Sequence, residues 1–277
     1  DPAPHLRALA DRAGGGVSPV FKSMGCSDET PIKQATFGKI LSILLRATKN
    51  HRRASWSHRE FLYVDMNAGS GVYEDGSHGS PLIALGRARD MGEPIRAILY
   101  ERDPETRDDC GGLVDNLYRL GFDAETHGDH GTADLDLRCV EKSLSGKPFG
   151  LIYADPNPDR DLVPAEVLTR IFKSSRLEMV DALVYVSATN YGRQRHYRER
   201  YLLDDLRAIG KRYVWLRRPA GPWRWTFAFL TNWDRWPGLA GDGFFRLGTP
   251  EGDALARDLN LTRKELGASA PLFGDAT

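Results

Sequence analysis

A short apolar run followed at once by a loop of small residues constrains the fold of this chain more than any other stretch. The run FLYV at 61–64 predicts a buried strand, and DMNAGSG at 65–71 predicts a tight turn at its carboxyl end. Because Gly69 and Gly71 carry no side chains, a ligand can approach the backbone closely there. Ligands of open α/β sheets bind at the carboxyl ends of the strands, so we expect Asp65 to face a ligand site.

The loop departs from the dinucleotide-binding fingerprint. That fingerprint needs a third Gly or Ala at position 74, and this chain has Glu74, which disfavours a nicotinamide oxidoreductase. The next helix is also delayed, with Ser80 as its expected N-cap and Pro81 as its first residue. Residues 72–79 are therefore either a flap over the site or a plain solvent loop.

Composition limits the partners and the compartment. With 277 residues, 41% of them hydrophobic, the chain can bury a sizeable core, as one large domain or one domain with appendages. Its 38 basic and 38 acidic residues balance, so any polyanion site must be a local patch. The three cysteines lie far apart without CxxC spacing, which predicts reduced thiols in a cytoplasmic protein and no structural zinc site. No segment approaches the roughly 18 apolar residues of a membrane span.

Predicted strands and helices alternate along the chain. The strands lie at 61–64, 95–101, 122–126, 151–154, 181–187, 211–218 and 224–232, the last two as a hairpin. Helices are predicted at 34–48, 81–92, 105–120, 135–144, 164–173, 194–209 and 254–269. This order predicts an α/β fold, a Rossmann-like doubly wound seven-stranded sheet with one antiparallel strand. We expect residues 1–31 to be an N-terminal arm, 32–240 to be this domain, and 241–277 to be a C-terminal tail with a capping helix.

Carboxylates follow the second and third predicted strands. Glu101 ends the second strand, where one ionised carboxylate can accept hydrogen bonds from both hydroxyls of a ribose. Asp129 lies in the loop after the third strand and could accept from the exocyclic amine of an adenine. His127 and His130 flank it, but a metal needs three or four converging ligands and no further one is apparent. We therefore expect no metal site.

A second informative stretch, Asp155-Pro156-Asn157-Pro158, follows the buried strand at 151–154. The two prolines fix the backbone and remove donors, which leaves carbonyl groups beside a carboxylate. Such a cluster can accept hydrogen bonds from an amine and orient its lone pair. The alternative is an ordinary strand-terminating turn. Because this strand is expected beside the first one, we favour the functional interpretation.

Basic and aromatic residues gather near the predicted hairpin and the helix before it. They are Arg193, Arg195, His196, Arg217, Arg218, Trp223 and Arg224. Their charge and their aromatic faces predict a nucleic-acid rim at the edge of the sheet that also holds Asn190. Arginine and tryptophan also pack hairpins structurally, and that interpretation stays open.

These motifs resemble known families. In order and spacing, Asp65 to Gly71, Glu101, Asp129 and Asp155 to Pro158 resemble the nucleotide and amine motifs of class I S-adenosylmethionine-dependent methyltransferases. That likeness covers about residues 60 to 232. The string GSGVYEDG at 69–76, with GSPLIAL at 79–85, is similar to the three-Cys-motif partner protein family over roughly residues 61 to 86.

The resemblance implies roles for individual residues. The methionine part of the cofactor would lie on Asp65, Asn67, Ala68, Gly69 and Gly71, the ribose on Glu101 and the adenine amine on Asp129. Asp155 and the Pro156 carbonyl, with Asn157 beside them, would hold the target amino group. The Asp-Pro-Asn-Pro sequence is similar to the Asp-Pro-Pro-Tyr motif of amino-methylating nucleic-acid enzymes. It lacks that motif's aromatic residue, for which Tyr153 or Tyr191 is the candidate replacement.

The sequence therefore predicts a methyltransferase that uses S-adenosylmethionine and acts on an amino group, with adenine N6 of DNA or RNA as the expected acceptor. Arg217, Arg218 and Trp223 would contact the nucleic acid. One alternative is a small-molecule or protein methyltransferase. The other is a non-catalytic module that keeps the fold and binds nucleic acid or a partner.

Overall fold

The computed structural model describes residues 30–73, 75–156, 163–188, 202–219, 225–236 and 238–259. The strands are β1 Phe61–Asp65, β2 Ile95–Tyr100, β3 Glu125–His127, β4 Gly150–Ala154, β5 Val180–Ser187, β6 Tyr213–Arg217, β7 Trp225–Thr231 and β8 Phe244–Arg246. The helices are α1 Thr30–Arg52, α2 Ser80–Asp90, α3 Pro104–Asp108, α4 Leu113–Arg119, α5 Ala133–Ser143, α6 Ala165–Ile171, α7 Leu202–Ala208 and α8 Pro250–Asp258. Short 3₁₀ turns lie at His130–Thr132, Ser175–Leu177 and Ala240–Asp242.

These strands form one sheet in the order β3-β2-β1-β4-β5-β7-β6-β8. Strands β3, β2, β1, β4 and β5 are parallel, and β7 runs antiparallel to β5 and β6. The chain winds outward from β1 in both directions, so the predicted Rossmann-like doubly wound fold is confirmed. Strand β8 adds an eighth strand, antiparallel to β6, at the edge.

Each face of the sheet is buried under helices. On one face β1, β4 and β7 pack Tyr63, Tyr153 and Phe227 against α1, α2 and α4. On the other face alternate residues of the same strands, such as Val64 and Ile152, pack against α5, α6, α7 and α8. Because successive strand residues point to opposite faces, strands buried on both sides are nearly uniformly apolar.

The sequence predicted one helix over residues 105–120, and the structure divides it into α3 and α4. Gly111 has a left-handed φ of 83°. A Cβ atom on Gly112 would lie 2.8 Å from the Thr106 carbonyl oxygen and 2.9 Å from that of Asp109. The glycine pair therefore allows a close turn that a continuous helix would not contain.

The predicted tail takes part in the sheet within the described residues. Strand β8 pairs with β6, and helix α8 packs against both. Helix α8 ends at Asp258, and residues 260–277 lie outside the described part of the chain, as do residues 1–29. The boundaries of the arm and the tail stay predictions.

Two further findings concern the surroundings of the protein. None of the helices in the described ranges combines the length and the apolar character that crossing a membrane requires. Cys110 and Cys139 are free, exposed thiols. The cytoplasmic location stays a prediction.

Candidate functional site

Asp65 ends β1 and lies beneath the glycine loop, which we define as Asn67–Gly71. Its side chain is 0% exposed. Carboxylate oxygen Oδ2 accepts hydrogen bonds from the hydroxyls of Tyr63, at 2.5 Å, and Ser80, at 2.6 Å. Oxygen Oδ1 accepts from the backbone N–H of Asn67 at 3.1 Å. Asp65 thus holds the strand, the loop and the start of α2 together.

Burial controls the ionisation of this cluster. Because removal from water disfavours a charged carboxylate, the pKa of Asp65 rises from 3.8 to about 6, against the opposing effect of its three hydrogen bonds. The pKa of Tyr63 is also raised well above its ordinary value, by burial and then by the nearby Asp65 charge. Tyr63 therefore remains a hydrogen-bond donor.

The glycine loop turns away from β1 with its backbone close to the neighbouring strand. Gly69 and Gly71 have left-handed φ values of 60° and 77°. The Ala68 N–H donates to the carbonyl of Tyr100, at 2.9 Å, so the loop is attached to the end of β2. A Cβ atom on Gly69 would have open space around it, whereas one on Gly71 would contact Leu113 and Leu82. The space above Gly69 is where a ligand can lie against the backbone.

Asn67 carries a polar atom that the surrounding protein leaves unsatisfied. Its side-chain oxygen Oδ1 is buried and has no hydrogen-bond partner among the described residues. Buried polar atoms are almost always paired, so this oxygen is available to accept a hydrogen bond from a ligand.

Glu101 follows β2 and faces the same loop. Its oxygen Oε2 accepts from the Gly69 N–H at 2.9 Å, and Oε1 accepts from the Asp103 N–H at 2.9 Å. These two bonds fix the orientation of the carboxylate. Each carboxylate oxygen can accept a second hydrogen bond, so both remain able to accept from a diol.

Val72 and Tyr73 pair with His78 and Ser77. Val72 and His78 pair as an isolated antiparallel bridge, and the Tyr73 N–H donates to the Ser77 carbonyl at 2.9 Å. The Gln34 side chain donates to the His78 carbonyl at 2.9 Å and ties these residues to α1. Helix α2 begins at Ser80 with Gly79 as N-cap, so the expected N-cap Ser80 is wrong. Its hydroxyl donates to Asp65 instead.

Asp129 lies in the loop after β3, on the far side of β2 from the glycine loop. Its carboxylate accepts from the Gly131 N–H at 2.8 Å, and its side chain is 58% exposed. His127 stacks on Tyr100 and contacts Glu125. In the part of the chain that is described, no three His, Cys, Asp or Glu side chains converge as a metal would need.

Asp155, after β4, binds a lysine that sequence reasoning did not identify. Lys33 Nζ, from the first turn of α1, lies 2.9 Å from Oδ1 and 2.7 Å from Oδ2 of Asp155. The Tyr153 hydroxyl donates to Oδ2 at 3.3 Å. Burial and the Asp155 charge raise the pKa of Tyr153 well above its ordinary value. Pro156 follows as a buried residue.

A narrow cleft lies beside Asp155, with room for little more than one water molecule. It is lined by Thr30, Lys33, Gln34, Phe37, Tyr73, Ser80, Ile83, Tyr153 and Asp155. Ser80 also donates to Asp65, so the cleft and the Asp65 cluster share this side chain. The strand register also brings the cleft and the Asp65 cluster close together, because Asp65 of β1 pairs with Tyr153 of β4.

The predicted basic rim is only partly described. Arg217 ends β6 and lies over the Trp225 ring, 5.9 Å from its centroid, and burial lowers its pKa. Arg218 is exposed and lies 4.9 Å from the centroid of Phe245. Asn157, Tyr191 and Trp223 were also predicted to act at the site, and they lie outside the described residues.

The side chains of this region that were not predicted as site residues include Tyr63, Ser80 and Lys33. Tyr63 precedes Asp65 by two residues and so shares its strand face, a spacing from which the contact could have been inferred. Tyr153 and Asp155 repeat that spacing on β4. For Lys33 no sequence signal exists, because a lysine on the polar side of an amphipathic helix is ordinarily solvated.

Comparison with known proteins gives distant likenesses among solved structures. No protein-family model and no curated protein matches the sequence. Among solved structures, a crystal structure of methyltransferase CalO6 is similar at a TM-score of 0.35 and 12% sequence identity, covering 74% of this chain and 68% of that chain. The fold is established by the strand order described above.

Proposed function

We propose that the chain is an S-adenosylmethionine-dependent methyltransferase that transfers a methyl group to an amino group. The observation that carries this proposal is the placement of three features at adjacent strand ends. Glu101 follows β2, the glycine loop follows β1, and Asp155 follows β4. A nucleoside ligand could therefore cross the edge of the sheet with its ribose at Glu101 and its reactive end toward Asp155.

The residues at this edge fit the cofactor. The ammonium group of S-adenosylmethionine would supply the donor that the buried Asn67 oxygen lacks. Glu101 would accept hydrogen bonds from the ribose hydroxyls, and Asp129 from the adenine amine. The methionine part would lie against Ala68, Gly69 and Gly71.

In this proposal Asp65 supports the cofactor site from below. Its carboxylate is fully buried and its oxygens accept from Tyr63, Ser80 and Asn67. It would orient Asn67 and the glycine loop to bind the methionine part of the cofactor. Because it is buried, it would not hydrogen-bond to solvent. Preorganised supports of this kind keep a binding site in its productive geometry.

Asp155 and the Pro156 carbonyl would hold the acceptor amine. S-adenosylmethionine, when bound, would supply a methyl group on positively charged sulfur, toward which the lone pair of an amine held by Asp155 could be directed. After transfer the amine nitrogen would release its proton to water. Two acceptors beside the nitrogen orient its lone pair, so the protein contributes mainly positioning.

The acceptor that the sequence predicts is adenine in DNA or RNA, one of the two amine classes that the proposed function admits; the other is an alkylamine. Arg217 and Arg218, at the carboxyl end of β6, lie at the edge where β4 and β5 also end, and they could contact phosphate. Of the two, Arg218 is the exposed guanidinium.

A non-catalytic binding module is the second candidate. One observation favours it: the Lys33 ammonium lies where an acceptor amine would bind Asp155. If the ion pair between Lys33 and Asp155 persists, the chain would bind a partner or a ligand without catalysing methyl transfer.

Methyl transfer tests the proposed function. Incubation with methyl-labelled S-adenosylmethionine and separate DNA, RNA, protein and amine pools should label one pool. Asp155→Ala should lower that rate by roughly 100-fold while leaving cofactor affinity unchanged, because acceptor positioning is lost. The exposed Asp123→Ala is the matched control and should keep the wild-type rate. Equal rates in Asp155→Ala and wild type would contradict the acceptor assignment, and cofactor binding without transfer to any pool would favour the non-catalytic module.

A further inference from the structure

The contacts of Lys33 define a compact binding site for a positively charged amine. Its ammonium lies between both oxygens of Asp155, at 2.9 and 2.7 Å, and the ring of Tyr185, 3.8 Å from the centroid. The side chains of Lys33 and Asp155 are only 18% and 22% exposed. We call Asp155, Tyr153 and Tyr185 the ammonium site.

Each wall of the ammonium site contributes an interaction that favours a cation. A carboxylate that accepts from an ammonium makes a charge-assisted hydrogen bond. An aromatic face attracts the same cation through its ring quadrupole, and more strongly where water is partly excluded. Tyr153 donates to Asp155 at 3.3 Å and fixes the carboxylate. Tyr153 also packs on Phe37 of α1, with ring centroids 4.5 Å apart, so the wall is rigid.

Charge balance decides which external amine can replace Lys33. If a neutral aromatic amine such as that of adenine displaces Lys33, Asp155 keeps its negative charge in a partly desolvated cleft without a counter-ion. That exchange loses the attraction of the ion pair. If an alkylammonium group displaces Lys33, one cation replaces another and both walls keep their interactions.

We propose that the ammonium site binds the primary alkylammonium group of an external substrate and that Lys33 is its tethered internal occupant. This inference names the acceptor class of the proposed function and rests on it for the role of the site as the acceptor position. A bound ammonium must release one proton to water before its lone pair can attack the methyl carbon.

The test removes the internal occupant and adds a minimal probe. Lys33→Ala should bind n-butylammonium saturably, roughly tenfold or more tightly than wild type, because a tethered competitor lowers apparent affinity. Lys39→Ala is the matched control: it removes a lysine from the same helix, one paired with Asp242 instead. That control should bind the probe as wild type does. Thermal stabilisation and calorimetry both measure this binding without any cofactor.

Three results would overturn the inference. Lys33→Ala could bind adenosine but not n-butylammonium, which would support the adenine acceptor, or it could bind neither, which would make the ion pair structural only. The double variant Lys33→Ala, Asp155→Asn could keep the tight probe binding of Lys33→Ala, which would place the amine elsewhere. Alanine has a high helix propensity, so Lys33→Ala should leave α1 folded. Lys33→Gln is a second variant that removes the charge and keeps a side chain longer than that of alanine. Probe binding without any S-adenosylmethionine binding would reject the proposed function and leave the ammonium site standing.

Discussion

Asp65 links the stability of the fold to pH. The folded protein retains a proton on this carboxyl up to about pH 6, whereas the ordinary pKa is 3.8. A pKa raised by folding contributes stability that is complete below the unfolded value and is lost as the pH rises through the folded value. Raising the pH through these two values therefore lowers the free energy of unfolding by about 3 kcal/mol.

Asp65→Asn should remove this dependence. From about pH 4 to about pH 7, the free energy of unfolding of wild type should fall by about 3 kcal/mol more than that of Asp65→Asn. Urea unfolding at the two pH values measures the difference. Asp123→Asn alters an exposed carboxyl and should behave as wild type. If Asp65→Asn and wild type change alike, the Asp65 carboxyl is not perturbed by burial.

At the scale of single residues, the sequence predicted the positions of the acidic side chains better than it predicted the groups that contact them. The strand-then-glycine pattern placed Asp65, Glu101 and Asp155 at strand ends, because a parallel sheet brings those ends to one edge. It could not place Lys33 on Asp155, since that contact joins residues 122 positions apart across a packed helix. Contacts of this kind depend on how α1 is docked, which local patterns do not specify.

At the scale of elements, helix α1 is the part that closes the site. Its first turn carries Lys33 to Asp155, and its other end is held by a buried ion pair. Arg52, 2% exposed, donates to Glu93 at 2.8 Å, and Lys49 lies 2.6 Å from the same carboxylate. The position of the ammonium site thus depends on a helix anchored at both ends.

Glu93→Gln should loosen that anchor. It leaves the buried Arg52 guanidinium without a counter-ion, and we expect a loss of about 3 kcal/mol in the free energy of unfolding. Glu178→Gln is the matched control, because its ion pair with Lys147 is 41% exposed on both sides and should cost under about 1 kcal/mol. Urea denaturation of both variants gives the comparison, and equal losses would contradict the anchoring role.

Element boundaries show where sequence patterns stop being informative. Helix α1 extends from Thr30 to Arg52, beyond the apolar stripe that predicted 34–48, because its ends are fixed by polar contacts. Strand β8 was missed, since three residues are too short for a periodic signal and it forms by pairing with β6.

At the scale of the whole molecule, the sheet order explains why one edge carries Asp65, Glu101 and Asp155. Strands β2, β1, β4 and β5 are parallel neighbours, so Glu101, Asp65 and Asp155 follow strands that end side by side. The fold class was predictable from the alternation of strands and helices. The surroundings of Asp155 were not, because they depend on side chains from separate elements.

Calorimetric titration with S-adenosylmethionine, alongside NAD, tests the central claim most directly. We predict micromolar binding of S-adenosylmethionine and none of NAD. Glu101→Gln should weaken that binding roughly tenfold or more, because a charged acceptor for the ribose hydroxyls is lost. The exposed Glu105→Gln, in α3, should bind as wild type does. Absence of S-adenosylmethionine binding, or binding of NAD in its place, would contradict the account.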